Sequence, residues 1–244
     1  MPTYSLRPLA LGELLDVSFG LYRRLLGTLV TIALITGGIP LIISVFVEAA
    51  GGATEATGAW FLNLLLSMIL GALGTGASTY VVSQSYLGEE THAAAALGRM
   101  VPYLGRIILL SILTTVLVFL GLLLLLVPGI IVACGLALGT PALVVEGLPG
   151  PGGAMQRSWS LTRGYRGKVF LALLVTFLIF SIPFLGLGVL TAMFGGGLIF
   201  AIATVALSVL VTPLIYVTLT VLYYDLRVRK EGFDLEMLAQ AVGA

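Results

Sequence analysis

Between Glu146 and Lys168 the chain places four cations, Arg157, Arg163, Arg166 and Lys168, around the aromatic side chains of Trp159 and Tyr165. Those residue types support two chemistries. Cations beside an aromatic ring at a membrane edge hold anionic headgroups, each basic residue contributing about 1 kcal/mol on an anionic surface. Glu146, shortly before Arg157 and Arg163, can instead form an ion pair under the neighbouring spans, and the cations can equally do no more than set topology. If the segment binds lipid, Arg157 and Arg163 are the expected phosphate contacts.

Catalysis has little to draw on. His92 is the single histidine and lies among alanines, and Cys134 is the single cysteine, within an apolar run. An intrachain disulfide or a cysteine metal cluster is therefore excluded, and scattered carboxylates with one histidine offer no evident ligand set. Serines are present without a convincing base beside any of them, and no phosphate-cradling glycine motif occurs. The expectation is a chain with no catalytic centre of its own, no cofactor and no metal. A net charge of +1 gives no basic surplus for nucleic acid.

These residues must be positioned by membrane helices. The sequence is 59% hydrophobic and only 9% charged, with a mean hydropathy of +1.14, against about 25% charged in an ordinary globular domain. Lys and Arg fall in four places, 7–24, 99–106, 157–168 and 227–230, and the stretches between them contain none. Each stretch is long enough for two crossings, since about 20 residues span about 30 Å of hydrocarbon. The fold class is all-α, with six transmembrane helices in three hairpins forming a single domain over 1–244. Spans are expected at 25–47, 60–87, 107–127, 130–145, 169–194 and 198–224, with a tail from 225. The Pro128-Gly129 pair reads as the tight turn between the third and fourth. Every basic cluster then lies on one face, which the positive-inside bias assigns to the cytoplasm together with both termini. Charged residues precede the first apolar stretch, the wrong order for a cleaved secretory signal.

Amphipathic segments precede the hairpins. Leu11, Leu14, Leu15, Phe19 and Tyr22 recur on one face of an expected interfacial helix over 8–24. A weaker segment before the second hairpin is interrupted by Pro102. Ala154, Met155, Trp159, Thr162 and Tyr165 form a stripe opposed by Gln156, Arg157, Ser160 and Arg163. Tyr103 with Arg106, Tyr165 with Lys168 and Tyr224 with Arg227 share one spacing, suggesting a degenerate threefold repeat of interfacial helix plus hairpin.

Within the spans, Pro40, Pro141, Pro183 and Pro213 each withhold a donor from the carbonyl four residues earlier, at Thr36, Ala137, Ile179 and Val209. Such breaks line a substrate path or are plain kinks. Pro183 and Pro213 are expected to bend their helices and leave an opening. Gly71, Gly74, Gly76, Gly135 and Gly139 supply small surfaces for helix packing.

Three blocks carry a family resemblance: RPLALGELLD with LYRR, then LLLLVPGIIVA through TPALVVEG to QRSWSLTRG, and finally LYYDLRVRKEGFDLE. In order along most of the chain, they resemble the membrane domain associated with prokaryotic glycerophosphoryl diester phosphodiesterases and its stand-alone relatives. The resemblance implies a six-helix module of the inner membrane. In full-length members hydrolysis belongs to a soluble catalytic barrel, which this sequence lacks, so no catalytic position is carried over.

The function expected from these readings is binding or moving lipid-like or amphiphilic molecules, or supporting a partner that does. The alternative is a structural or assembly scaffold, with an intramembrane enzyme the third reading. Partners are membrane lipids and either a membrane protein or a second copy of the chain. A groove with polar groups near the proline breaks would favour binding, and a closed bundle the scaffold.

Overall fold

A computed structural model describes residues 7–49, 57–195 and 197–232. All regular structure among them is helical, and six helical segments are long and apolar enough to cross a membrane. The first crossing is α1 (Leu11–Ala33), a π-helical turn (Leu34–Gly38) and α2 (Ile39–Ala49), and the second is α3 (Thr57–Leu87). A short α4 (Ala93–Met100) passes through one 3-10 turn into α5 (Leu104–Leu124), the third crossing. The fourth is split into α6 (Leu126–Leu136) and α7 (Gly139–Val145). After it come α8 (Pro151–Thr162), α9 (Arg166–Phe194) and α10 (Leu198–Glu231). Most of the expected loop after Val47 and the end of the tail fall on 50–56 and 233–244, outside the described residues.

The segment 8–24 is not a separate interfacial helix. It is continuous with the first crossing, because nothing between Arg23 and Leu25 breaks a helix. Its apolar stripe meets protein: Leu14 and Leu21 are fully buried, in one core cluster with Val217, Val221 and Leu222 of α10. A helical period reports that one face is covered but not by what.

The third turn also differs from expectation. Leu125, in extended conformation, separates α5 from α6, while Pro128 and Gly129 lie inside the first turn of α6. Proline fits there because the first-turn amides have no intrahelical acceptor to lose. Pro141 likewise occupies the first turn of α7, so the fourth span is broken at Ala137 and Leu138. The last helix continues past Tyr224 to Glu231, carrying Arg227, Arg229 and Lys230 as a helical extension, not as a tail starting at 225.

The buried core is gathered towards the end of the bundle that bears the basic residues. Tyr86, Tyr223 and Tyr224 are among its largest fully buried side chains, and Tyr86 stacks on Tyr224 with ring centroids 4.9 Å apart. Towards the other end Phe119, Leu124, Met193 and Phe194 are widely exposed. For a membrane bundle that is the expected lipid-facing surface, since lipid tails solvate such side chains as well as protein does.

Candidate functional site

Two regions concentrate polar groups: the basic end and a cavity within the spans. At the basic end, the chain segments that the sequence separates are locked together by carboxylates. Asp225 is 1% exposed and accepts hydrogen bonds from the Leu9 amide at 2.7 Å, Lys168 Nζ at 2.5 Å and Arg229 Nε at 3.0 Å. Lys168 Nζ and Arg229 Nη2 also donate to the Leu9 carbonyl, at 2.7 and 2.6 Å. The N-terminal segment, α9 and α10 thus share one buried cluster. Its carboxylate is tolerable inside protein because three donors satisfy it.

A second cluster ties α7, α8 and α10. Arg157 Nε donates to Glu146 Oε1 at 2.7 Å, and its terminal nitrogens form a two-pronged pair with Glu231. Tyr223 donates its hydroxyl to the same Glu146 oxygen at 2.5 Å, and Arg227 Nε lies 3.3 Å from Glu231 Oε2. The Glu231 hydrogen bonds chiefly, and those of Glu146 next, hold the Arg157 guanidinium above its ordinary pKa, against the opposing effect of burial. The ion pair expected at Glu146 is present.

This geometry corrects the reading of Arg157 and Lys168 as open headgroup contacts. Both cations are engaged by carboxylates, Arg157 by Glu146 at the end of α7 and by Glu231 of α10, and Lys168 by Asp225 of α10. Arg163 and Arg166 have no carboxylate partner among the described residues. Arg163 is exposed, and the Arg166 guanidinium lies over the Trp159 ring, 4.2 Å from its centroid, with Nε buried and unpaired among those residues.

Helix α8 is also more than a surface helix. Ala154, Ser158, Leu161 and Thr162 form its buried face, whereas Trp159 is 37% exposed. Ser158 enters the break in the fourth span, where its hydroxyl donates to the Gly135 carbonyl at 2.7 Å and accepts the Leu138 amide at 3.1 Å. Thr162 adds a longer bond to the same carbonyl. Gly135 is required there, since a Cβ would sit 2.3 Å from the Trp159 ring. Of the expected glycine surfaces, Gly135 therefore serves helix packing.

The cavity lies where the π-helical turn, α3 and α10 meet, and its volume is about 110 Å³. Thr36, Ser78, Ser208, Thr212 and Tyr216 are the hydroxyl-bearing residues of its lining, and Ala33, Gly37, Leu41, Gly71, Gly74 and Val209 complete it. Two of the expected proline effects converge here. Pro40 follows the π-helical turn and Pro213 lies inside α10, so the Thr36 and Val209 carbonyls each lack the amide an α-helix would supply. Tyr22 reaches across from α1 to donate to the next carbonyl, Leu210, at 2.5 Å. Pro183 is inside α9, and α9 contributes nothing to this wall. Gly74 permits the approach of α3 to the π-helical turn, since a Cβ there would lie 2.3 Å from Thr36 Oγ1.

Pro40 and Pro213 mark the Thr36 and Val209 carbonyls in the sequence, whereas nothing in it distinguishes the hydroxyl-bearing residues around them. Ser78, Thr212 and Tyr216 come from helices distant in sequence and follow no motif. Asn63 joins α3 to α2 through a 2.7 Å bond to Ser44, and Gln84 donates to Glu89 at 2.7 Å, so both have structural partners. His92 precedes α4 as its N-cap residue without a capping bond. Among the described residues no group of three or more His, Cys, Asp and Glu side chains is placed to hold a metal ion.

No family model matches the chain, and no solved structure matches it. Over 98 residues, 40% of its length, the chain is 33% identical to a curated protein of Pectobacterium carotovorum subsp. carotovorum described as a UPF0259 membrane protein. The matched stretch spans 39% of that relative. Composition, six apolar helices and this similarity together make the chain a multi-pass helical membrane protein.

Proposed function

We propose that the chain is a module of the prokaryotic cytoplasmic membrane, without a catalytic centre of its own, that binds or moves lipid-like or amphiphilic molecules or supports a partner that does. The observation that carries this reading is the hydroxyl-lined cavity at the meeting of two proline-disturbed helices. Breaks of this kind expose backbone polar groups inside a membrane only where they are satisfied by protein or face a cavity. The resemblance to the membrane domain of glycerophosphoryl diester phosphodiesterases fits such a role beside a lipid-active partner. The basic end faces the cytoplasm on the positive-inside bias, which places both termini there. Arg163 and Arg166, beside Trp159, are then the side chains best placed to touch anionic headgroups.

Native mass spectrometry of the gently extracted protein tests the reading, because it reports retained lipid, protein partners and copy number together. Retained amphiphile that is lost when the cavity hydroxyls are removed supports it. A protein that retains none, and binds none when offered a range of headgroups, leaves the assembly scaffold. The interlocked ion pairs of the basic end favour that second reading.

A further inference from the structure

We propose that the cavity receives an uncharged, hydroxyl-bearing headgroup whose tail leaves into the bilayer, an inference that rests on the amphiphile reading above and names its ligand class. Ser78 is only 2% exposed, yet its hydroxyl makes no hydrogen bond among the described residues, and neither does that of Thr212 on the facing helix. Hydroxyls in membrane helices ordinarily return to the carbonyl one turn earlier, as Thr36, Thr204 and Thr218 do here. Ser78 and Thr212 leave that option unused and line the cavity instead. Tyr216 lies 3.3 Å from Thr75 Oγ1, whose own proton goes to the Gly71 carbonyl at 2.8 Å, so the tyrosine hydroxyl donates to Thr75 and keeps acceptor capacity towards the cavity.

The wall therefore offers both donor and acceptor capacity from the Ser78 and Thr212 hydroxyls. A ligand that satisfies both must donate and accept, which a hydroxyl does and a quaternary ammonium cannot. No Asp, Glu, Lys or Arg lines the cavity, so a phosphate or ammonium would lose its water with no opposite charge to replace it. At about 110 Å³ the space is somewhat smaller than the ~150 Å³ of an engineered cavity that admits benzene. A head of about four to six non-hydrogen atoms fits on that scale, the size of a vicinal diol with its attached carbons. The lining stays clear of the ends of the crossings, Leu41 being the nearest to one, eight residues before Ala49. On adjoining turns Leu34 and Leu210 are 50% and 45% exposed, which gives a tail a path outward at membrane depth.

The test offers the full chain in nanodiscs three amphiphiles with the same twelve-carbon tail, bearing a vicinal diol, a phosphate or a trimethylammonium head, and reads saturable binding by native mass spectrometry. The diol amphiphile is expected to bind about tenfold more tightly than either charged analogue. Ser78→Ala with Thr212→Val is expected to weaken it by about tenfold or more, on the scale of two lost hydrogen bonds. Equal binding of all three heads, or unchanged diol binding in a folded double variant, means partition onto the outer surface and overturns the proposal. Tighter binding of the phosphate amphiphile overturns it while leaving the amphiphile reading in place. If no amphiphile binds saturably, that reading fails as well. The headgroup comparison uses the unmodified protein, so it decides even if the double variant does not fold. Ethylene glycol supplied alone separates the sources: binding much weaker than that of the tailed diol supports a lipid-borne head, and equal binding overturns the requirement for a tail.

Discussion

The Ser158 hydroxyl bridges the two sides of the break in the fourth span, donating to Gly135 at 2.7 Å while the Leu138 amide donates to it at 3.1 Å. Breaking a helix inside a membrane leaves polar backbone without water, and each unsatisfied group costs several kcal/mol in lipid. A side chain from the amphipathic α8 supplies both missing partners. Ser158→Ala should therefore lower stability by about 1–3 kcal/mol, because the Leu138 amide loses its partner and the Gly135 carbonyl keeps only the longer bond from Thr162. Thermal unfolding in detergent measures this, and a change near zero would show that the break does not depend on Ser158.

Asp225 is the carboxylate that two cations and the Leu9 amide share. Asp225→Asn keeps the shape but removes the charge that Lys168 and Arg229 face. Removing one partner of a buried ionic cluster costs about 3–5 kcal/mol where burial is complete. The two cations keep 15% and 23% of their side-chain surface exposed, so the loss should fall towards the lower end. Protection of the Leu9 amide from hydrogen exchange should decrease in parallel.

Arg157 and Arg163 should separate in their effects. Arg157→Gln removes the pairs to Glu146 and Glu231 and should reduce stability by about 1–3 kcal/mol, the range for charged hydrogen bonds in partly shielded sites. Arg163→Gln should leave the unfolding temperature unchanged and reduce retention of anionic lipid, as Arg166→Gln should. Retention that is indifferent to both substitutions would leave these cations a topological role only.

Gly74 sets the distance between α3 and the π-helical turn. In Gly74→Val the new side chain meets the Thr36 side chain, whose Oγ1 lies 2.3 Å from the position of a Cβ. Overpacking of this kind costs about 1–3 kcal/mol. Because Gly74 and Thr36 both line the cavity, the variant should also bind the diol amphiphile less well than the native protein does. Full binding in a destabilised variant would place the ligand elsewhere.

Orientation is open to direct labelling in a Cys134→Ala background. Thr54→Cys should react with an impermeant reagent added outside intact cells, and Ser160→Cys should react only after permeabilisation. The opposite pattern would invert the proposed topology, which the even number of crossings and the shared basic end otherwise keep self-consistent.

Much of the architecture was legible from residue order alone. Long apolar runs between clusters of Lys and Arg specify crossings, because a charge in hydrocarbon is costly whatever packs around it. The resulting number of crossings, the start of α9 near Arg166 and the end of α3 at Leu87 follow from that single cost. Proline chemistry was legible too, since a missing amide is a covalent fact: Thr36 and Val209 both line the cavity.

What the tertiary structure decided is which partner each polar group and apolar face receives. The stripe Leu14 to Leu21 looks the same whether lipid or α10 covers it, and the sequence does not say which of four neighbouring cations Glu231 and Asp225 will engage. Hydropathy depends on a residue's own transfer from water to hydrocarbon, which sequence records. Pairing depends on distances of a few ångströms between helices far apart in the chain, and only the packed bundle determines those.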